Sequence, residues 1–260
     1  MTPIDPSLEN SRRLLALRGR YAGRRGFIIG NGPSLQAADL DRIAAHGDLS
    51  LATNKIFLIF PQTRWRPTLY LIGDTGIARA SVAEIGAGFR GNVLFADYLA
   101  PHIPPAARYA AFTVRPDYVP TQPQFSEDLV HGVCRGATIT YTAMQVAHWL
   151  GLAKVYLLGV DFNYVLPELR PSTEFPGYQT YTPGTERNYC TAGYVKPHEA
   201  VVAPNLEHSL CAFRAAQQFA AASPRFKIYN ATRGGQLEVF PRVAFDQVLP
   251  PRPAPPPSPP

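Results

Sequence analysis

The sequence predicts an α/β fold: a mostly parallel, Rossmann-like sheet with helices on both faces and one long lid loop. Three observations carry this. Short apolar runs recur at 27–30, 49–53, 68–73, 92–96, 154–159 and 226–229, and read as strands. Helical patterns at 35–46, 76–87, 137–150 and 205–221 lie between them, and short strands separated by helices make a parallel sheet covered on both sides. Finally, polar and glycine residues gather directly after several of the runs, where the ligands of such sheets bind.

The chain has 260 residues, 46% of them hydrophobic, enough to bury the core of one α/β domain. No apolar run reaches the roughly 18 residues that would cross a bilayer, and the start, MTPIDPSLEN, shows no secretory leader. Cys134, Cys190 and Cys211 have no CxxC spacing, so neither a disulfide framework nor a zinc site is expected, and a reducing, cytoplasmic location follows.

Residues 1–23 form a basic N-terminal segment, helical over 6–20, with Leu8, Leu14, Leu15 and Leu17 as its apolar positions. Arg12, Arg13, Arg18, Arg20, Arg24 and Arg25 supply much of the net charge of +6. With no aromatic belt beside them, they read as a solvated basic face, with peripheral contact to a membrane surface as the alternative. No nucleic-acid-binding motif is present, so no nucleic-acid partner is expected.

Residues 24–248 form the main domain. Its first strand runs into Gly30-Asn31-Gly32-Pro33-Ser34-Leu35. Gly30 and Gly32 allow a tight turn that a ligand can approach closely, and Ser34 reads as the N-cap of the next helix. A helix start carries unpaired N–H groups, which suit a phosphate or the edge of a nucleotide. The turn is neither GxGxxG nor a P-loop, since no lysine follows its glycines. Asn54-Lys55 follow the second strand, Gly73-Asp74 the third, and Gly159-Val160-Asp161-Phe162-Asn163 the run at 154–159. Each could be a turn former, but together they read as a binding crevice.

Two stretches break the rhythm. Residues 97–135 are rich in Pro, Tyr and Phe, with weak periodicity. Residues 162–204 carry five tyrosines and repeated prolines, and read as an aromatic lid. The tail, 249–260, is almost all proline and is expected to be disordered or polyproline II.

Taken together, Gly30-Asn31-Gly32-Pro33-Ser34-Leu35, Thr53-Asn54-Lys55, Gly136-Ala137-Thr138 and the strand end Gly159-Val160-Asp161-Phe162 resemble two related families. One is the bacterial CMP-sialic-acid-dependent sialyltransferases. The other is the MptE-like family, named after the archaeal 6-hydroxymethylpterin diphosphokinase. The closing segment, from Lys227-Ile228-Tyr229-Asn230 to Phe240-Pro241, is similar to the MptE-like group. The resemblance covers residues 24–248 and implies a GT-A-variant, sialyltransferase-like fold. It also implies nucleotide contacts from Asn31, Asn54, Gly136, Ala137, Thr138, Gly159, Asp161 and Asn163, while Gly30, Gly32, Ser34, Lys55 and Asp74 join them as nucleotide-binding candidates from their places in the crevice. A late histidine would deprotonate the acceptor, with His198 placed first and His208 second. The chain departs from the sialyltransferase pattern at Asn163, where the family has tyrosine and Tyr164 follows one place later.

The leading reading is a nucleotide-sugar-dependent glycosyltransferase of surface glycan biosynthesis. Its donor would be a CMP-sugar and its acceptor a glycan or small molecule. The sole D-x-D, Asp39-Leu40-Asp41, reads as a solvated helix end rather than a metal site, so transfer without a metal is expected. The alternatives are an ATP-dependent diphosphokinase, which would need Mg²⁺ held by Asp74 and Asp161, and a non-catalytic nucleotide- or glycan-binding module.

Overall fold

A computed structural model describes residues 6–89, 91–174, 176–184, 187–196 and 200–250. The strands form where the apolar runs lie: β1 (Arg25–Ile29), β2 (Leu49–Thr53), β3 (Leu69–Ile72), β4 (Asn92–Ala96), β5 (Tyr109–Phe112), β6 (Lys154–Leu158) and β10 (Lys227–Asn230). All seven pair in parallel, in the order β10-β6-β1-β2-β3-β4-β5. The interior strands β2 and β3 are buried at every position, so both faces of the sheet are covered, as their unbroken apolar sequences require.

The fold class is thus the one expected, with one strand more. β5 lies inside the irregular stretch 97–135, where four residues after a pair of prolines give too short a run to stand out. The lid also holds a small antiparallel sheet of β7 (Arg170–Pro171), β8 (Gln179–Tyr181) and β9 (Val201–Val202).

The helices follow their apolar periods. α5 (Ile139–Trp149) is almost wholly buried and packs on β1, β2 and β3. α6 (Leu206–Ala222) packs on α5 and β10. α2 (Ala37–His46) closes the connection from β1 to β2, while α3 (Thr75–Ala80) and α4 (Val82–Gly88) split at Ser81 what reads as one helix.

α1 (Pro6–Leu17) lies along β5 with Leu14 and Leu17 buried. Asn10 accepts the Ala111 N–H at 2.7 Å and donates to the Ala111 carbonyl at 2.8 Å. The Trp149 indole N–H donates to the Leu14 carbonyl at 2.9 Å. Met1–Asp5 and residues 251–260 of the proline tail lie outside the described residues. Leu249, expected as the first residue of that tail, is instead fully buried and belongs to the core.

Candidate active site

The strand order reverses between β1 and β6, each of which sends its chain on in the opposite direction across the sheet. Ligands of parallel sheets bind beyond the carboxyl ends at such a reversal. Gly30 and Gly159 stand at these ends, side by side.

A Cβ on Gly30 would stand 2.2 Å from the Gly159 carbonyl oxygen, and one on Gly32 would stand 2.0 Å from Asp161 Oδ2. Both glycines are therefore required by the approach of β6 itself, whatever else comes near. The Gly32 N–H donates to the Gly159 carbonyl at 2.8 Å.

Asp161 holds this corner. Its carboxylate accepts the Ser34 hydroxyl at 2.9 Å and the Ser34 N–H at 3.2 Å, and its carbonyl accepts the Gln236 N–H at 2.7 Å. Burial raises the Asp161 carboxyl above its ordinary value, and the bonds from Ser34 oppose that rise. One expectation changes here. Ser34 is not a helix cap, since α2 starts at Ala37 behind Gln36; its partner instead lies 127 residues away. The Asp161 carboxylate ties the turn after β1 to the end of β6.

Asn31 and Asn54 face the crevice from adjacent strand ends. The Asn31 amide donates to the Thr53 carbonyl at 3.0 Å, while its Oδ1 is buried with no hydrogen-bond partner. Asn54 takes a left-handed backbone with φ 53°, which asparagine tolerates better than most residues. Its carbonyl accepts the Tyr70 hydroxyl at 2.8 Å, and its Oδ1 is likewise buried and unpartnered. Buried polar atoms are rarely left unmatched, and here two such acceptors stand at neighbouring strand ends.

The lid seats directly over them. The Cys190 N–H donates to the Asn31 carbonyl at 2.9 Å, and Lys55 Nζ donates to the Tyr194 carbonyl at 2.7 Å. Tyr189 and Tyr194 stack at 3.8 Å, with Tyr164 edge-on to Tyr189 at 6.4 Å. Burial pushes the Tyr164 hydroxyl up to about 12, and raises Tyr189 and Tyr194 as well, so all three stay protonated donors at neutral pH.

Gly136-Ala137-Thr138 brings the α5 N-terminus to the same edge. A Cβ on Gly136 would stand 2.3 Å from the Tyr141 ring, Ala137 is left-handed at φ 54°, and Thr138 caps α5 through the Thr140 N–H. Ile139 lies against Gly73 at the end of β3. The Ser209 hydroxyl donates to the Ala137 carbonyl at 3.4 Å, which sets the first turn of α6, with His208, at this corner. Asn205 caps that helix through the His208 N–H. His198 lies outside the described residues.

Asp74 caps α3 by accepting the Ile77 N–H at 2.7 Å, and Asn163 is exposed beside the lid. The D-x-D expectation is corrected. Both stand inside α2; Asp39 is buried and paired bidentately with Arg233, whereas Asp41 is exposed and accepts from Thr63 at 2.6 Å. Among the described residues no group of three or more His, Cys, Asp or Glu is placed to hold a metal.

Sequence reasoning missed a group on the far side of the crevice. The Tyr98 hydroxyl donates to the Gly73 carbonyl, and the Arg135 guanidinium lies 5.6 Å over the Tyr118 ring. Burial raises the hydroxyls of Tyr98 and Tyr118, and the Arg135 charge opposes it, with Tyr178 of the lid close to both. The available signal was the place of Arg135, immediately before the Gly136–Thr138 helix start.

No model of a known protein family matches this sequence, and no curated protein matches it. Among solved structures, one with the same fold and one of weaker likeness are found. The MAf glycosyltransferase from Magnetospirillum magneticum AMB-1 is 16% identical, with a TM-score of 0.53 over 92% of this chain and 38% of that one. The sialyltransferase CstII from Campylobacter jejuni, in complex with a substrate analogue, cytidine-5'-monophosphate, is 13% identical, with a TM-score of 0.45 over 86% of each chain. This chain thus spans well under half of the first of these proteins. The architecture shared with the first of them is a parallel α/β sheet.

Proposed function

We propose that this protein is a nucleotide-sugar-dependent glycosyltransferase with a CMP-sugar as donor. The observation that carries the proposal is the pair of buried, unmatched amide oxygens, Asn31 Oδ1 and Asn54 Oδ1, at the ends of β1 and β2 beside the strand reversal. Amide oxygens accept from ribose hydroxyls or an exocyclic base amine. The fold shared with a glycosyltransferase supports the reaction class, and the sialyltransferase-like motifs support the cytidine nucleotide.

The tyrosine hydroxyls and Lys55 are the donors able to stabilise the phosphate as the nucleotide leaves. Because Tyr189, Tyr194 and Lys55 now bond to each other and to the crevice floor, the donor enters by lifting the 187–196 segment. The acceptor lies on the Tyr98, Tyr118 and Arg135 side, where sugar rings pack on aromatic faces. Its hydroxyl loses a proton to a histidine as the new glycosidic bond forms, and His208 is the candidate at the Ala137 corner.

The diphosphokinase reading is not favoured. It needs Asp74 and Asp161 free for Mg²⁺, whereas Asp161 is committed to Ser34 and Asp74 to α3.

Calorimetric titration with CMP, UDP, GDP and ATP, each with EDTA or Mg²⁺, tests the proposal. CMP binding that survives EDTA is the expected result. Binding of ATP alone, and only with Mg²⁺, overturns it.

A further inference from the structure

The flank of the sheet along β5, continued at its amino-terminal end, carries a feature that the crevice does not use. On α1, Leu8 is 49% and Leu15 50% exposed, and the exposed Arg12 lies between them. Spacings of four and three residues put these side chains on one helix face. Leu14 and Leu17 are buried toward the sheet, so the Leu8-Arg12-Leu15 face points outward.

Beyond the helix, Arg18, Arg20 and Arg24 are exposed, and so is Arg108 at the start of β5. Each guanidinium lies on an aromatic ring: Arg18 on Trp149 at 5.1 Å, Arg20 and Arg24 on Tyr21 at 5.8 and 6.0 Å, and Arg108 on Tyr109 at 5.1 Å. Arg20, Arg108 and Ala16 line one small cleft, which joins the two stretches into one surface. Among the described residues none of these four arginines has a carboxylate partner. The nearby acids are spent elsewhere, Glu9 on Arg13 and Asp48 on Arg25.

We propose that this face is a docking surface for an anionic lipid bilayer. Unpaired cations supply attraction to the headgroups, and two outward leucines on an adjoining helix supply apolar contact just beneath them. The leucines decide between polyanions, since a nucleic acid rewards the arginines but not exposed aliphatic side chains. The five-residue strand β1 places Arg18, Arg20 and Arg24 about 17 Å from the crevice, and α1 flanks the edge strand β5 rather than the strand reversal.

Sedimentation of the full chain with vesicles of phosphatidylglycerol and phosphatidylcholine, or of phosphatidylcholine alone, tests this. The chain is expected to partition onto the anionic vesicles and to come off near 0.5 M salt, where charges are screened beyond about 4 Å. Combining Arg18→Gln, Arg20→Gln and Arg108→Gln should lower partitioning about a hundredfold, at about fivefold per charge. Combining Leu8→Gln and Leu15→Gln should lower it about tenfold. Melting temperature and CMP affinity, unchanged in both variants, show that fold and crevice are intact.

Equal partitioning onto the two vesicle types overturns the proposal. So does full binding by the leucine variant, or tighter binding to duplex DNA than to the anionic vesicles. CMP affinity of the unaltered chain is read separately, so failure of the donor-site reading leaves this test standing.

Discussion

The two edges of the main sheet are built from the same strands and solve opposite problems. At the carboxyl edge, the turn after β1 is pressed against the end of β6, Asp161 is 5% exposed, and Tyr194 of the lid is 7% exposed. Polar atoms there are buried, and two amide oxygens have no hydrogen-bond partner. At the amino edge the polar groups are charged, solvated and stacked on rings. The recognition proposed for the first edge depends on placement to a fraction of an ångström. That proposed for the second depends on the sum of charge and apolar area, which tolerates movement. Substitutions at the carboxyl edge should therefore act strongly and singly, and those at the amino edge weakly and in combination.

The largest effect is expected for Gly32→Val. Its Cβ falls where Asp161 Oδ2 stands, so the turn and β6 must separate. Urea unfolding should show a loss of about 3 kcal/mol, with CMP binding lost as well. A stable Gly32→Val protein that binds CMP normally would break the contrast between the edges.

Asn31→Ala should come next, weakening CMP binding by about 1–3 kcal/mol in a folded protein, as calorimetry would report. The same titration on Arg20→Gln should show no change.

Lys55→Met removes the bond to the Tyr194 carbonyl and loosens the lid without touching the turn. Hydrogen exchange of the 188–194 amides should quicken about tenfold. Unaltered exchange would mean that the tyrosine stack alone holds the segment.

The smallest effect concerns pH. The Asp161 carboxyl is raised by burial, so its contribution is greatest when it is protonated and is lost as pH climbs through the raised value. Asp161→Asn should flatten the pH dependence of stability from the ordinary carboxylate range upward. An unchanged profile would place the titrating group elsewhere.

Much of this architecture was legible in the chain because interior strands must be apolar on both sides. The runs at 49–53 and 154–159 therefore stood out before any contact was known. β5 did not, because Tyr109–Phe112 is too short to show a pattern. Nor did the lid strands, two or three residues long and held by pairing rather than composition. At the site, asparagines following strands could be read locally, and Asn31 and Asn54 do stand together. Ser34 and Asp39 misled because local rules expect local partners, whereas theirs are Asp161 and Arg233, brought in by the fold. The same limit hid Arg135, whose aromatic neighbours come from separate loops.

Asn10 has a consequence beyond its own helix. β5 ends the sheet, and an edge strand normally offers its free N–H and C=O groups to any extended chain that passes. By meeting both groups of Ala111 with one side-chain amide, Asn10 imitates a single residue of an eighth strand and then turns away into a helix. Growth of the sheet is terminated at that position. With Arg13 on the Tyr109 carbonyl below it and Val133 paired to Thr113 and Arg115 above, strand addition at β5 finds its outward groups already taken.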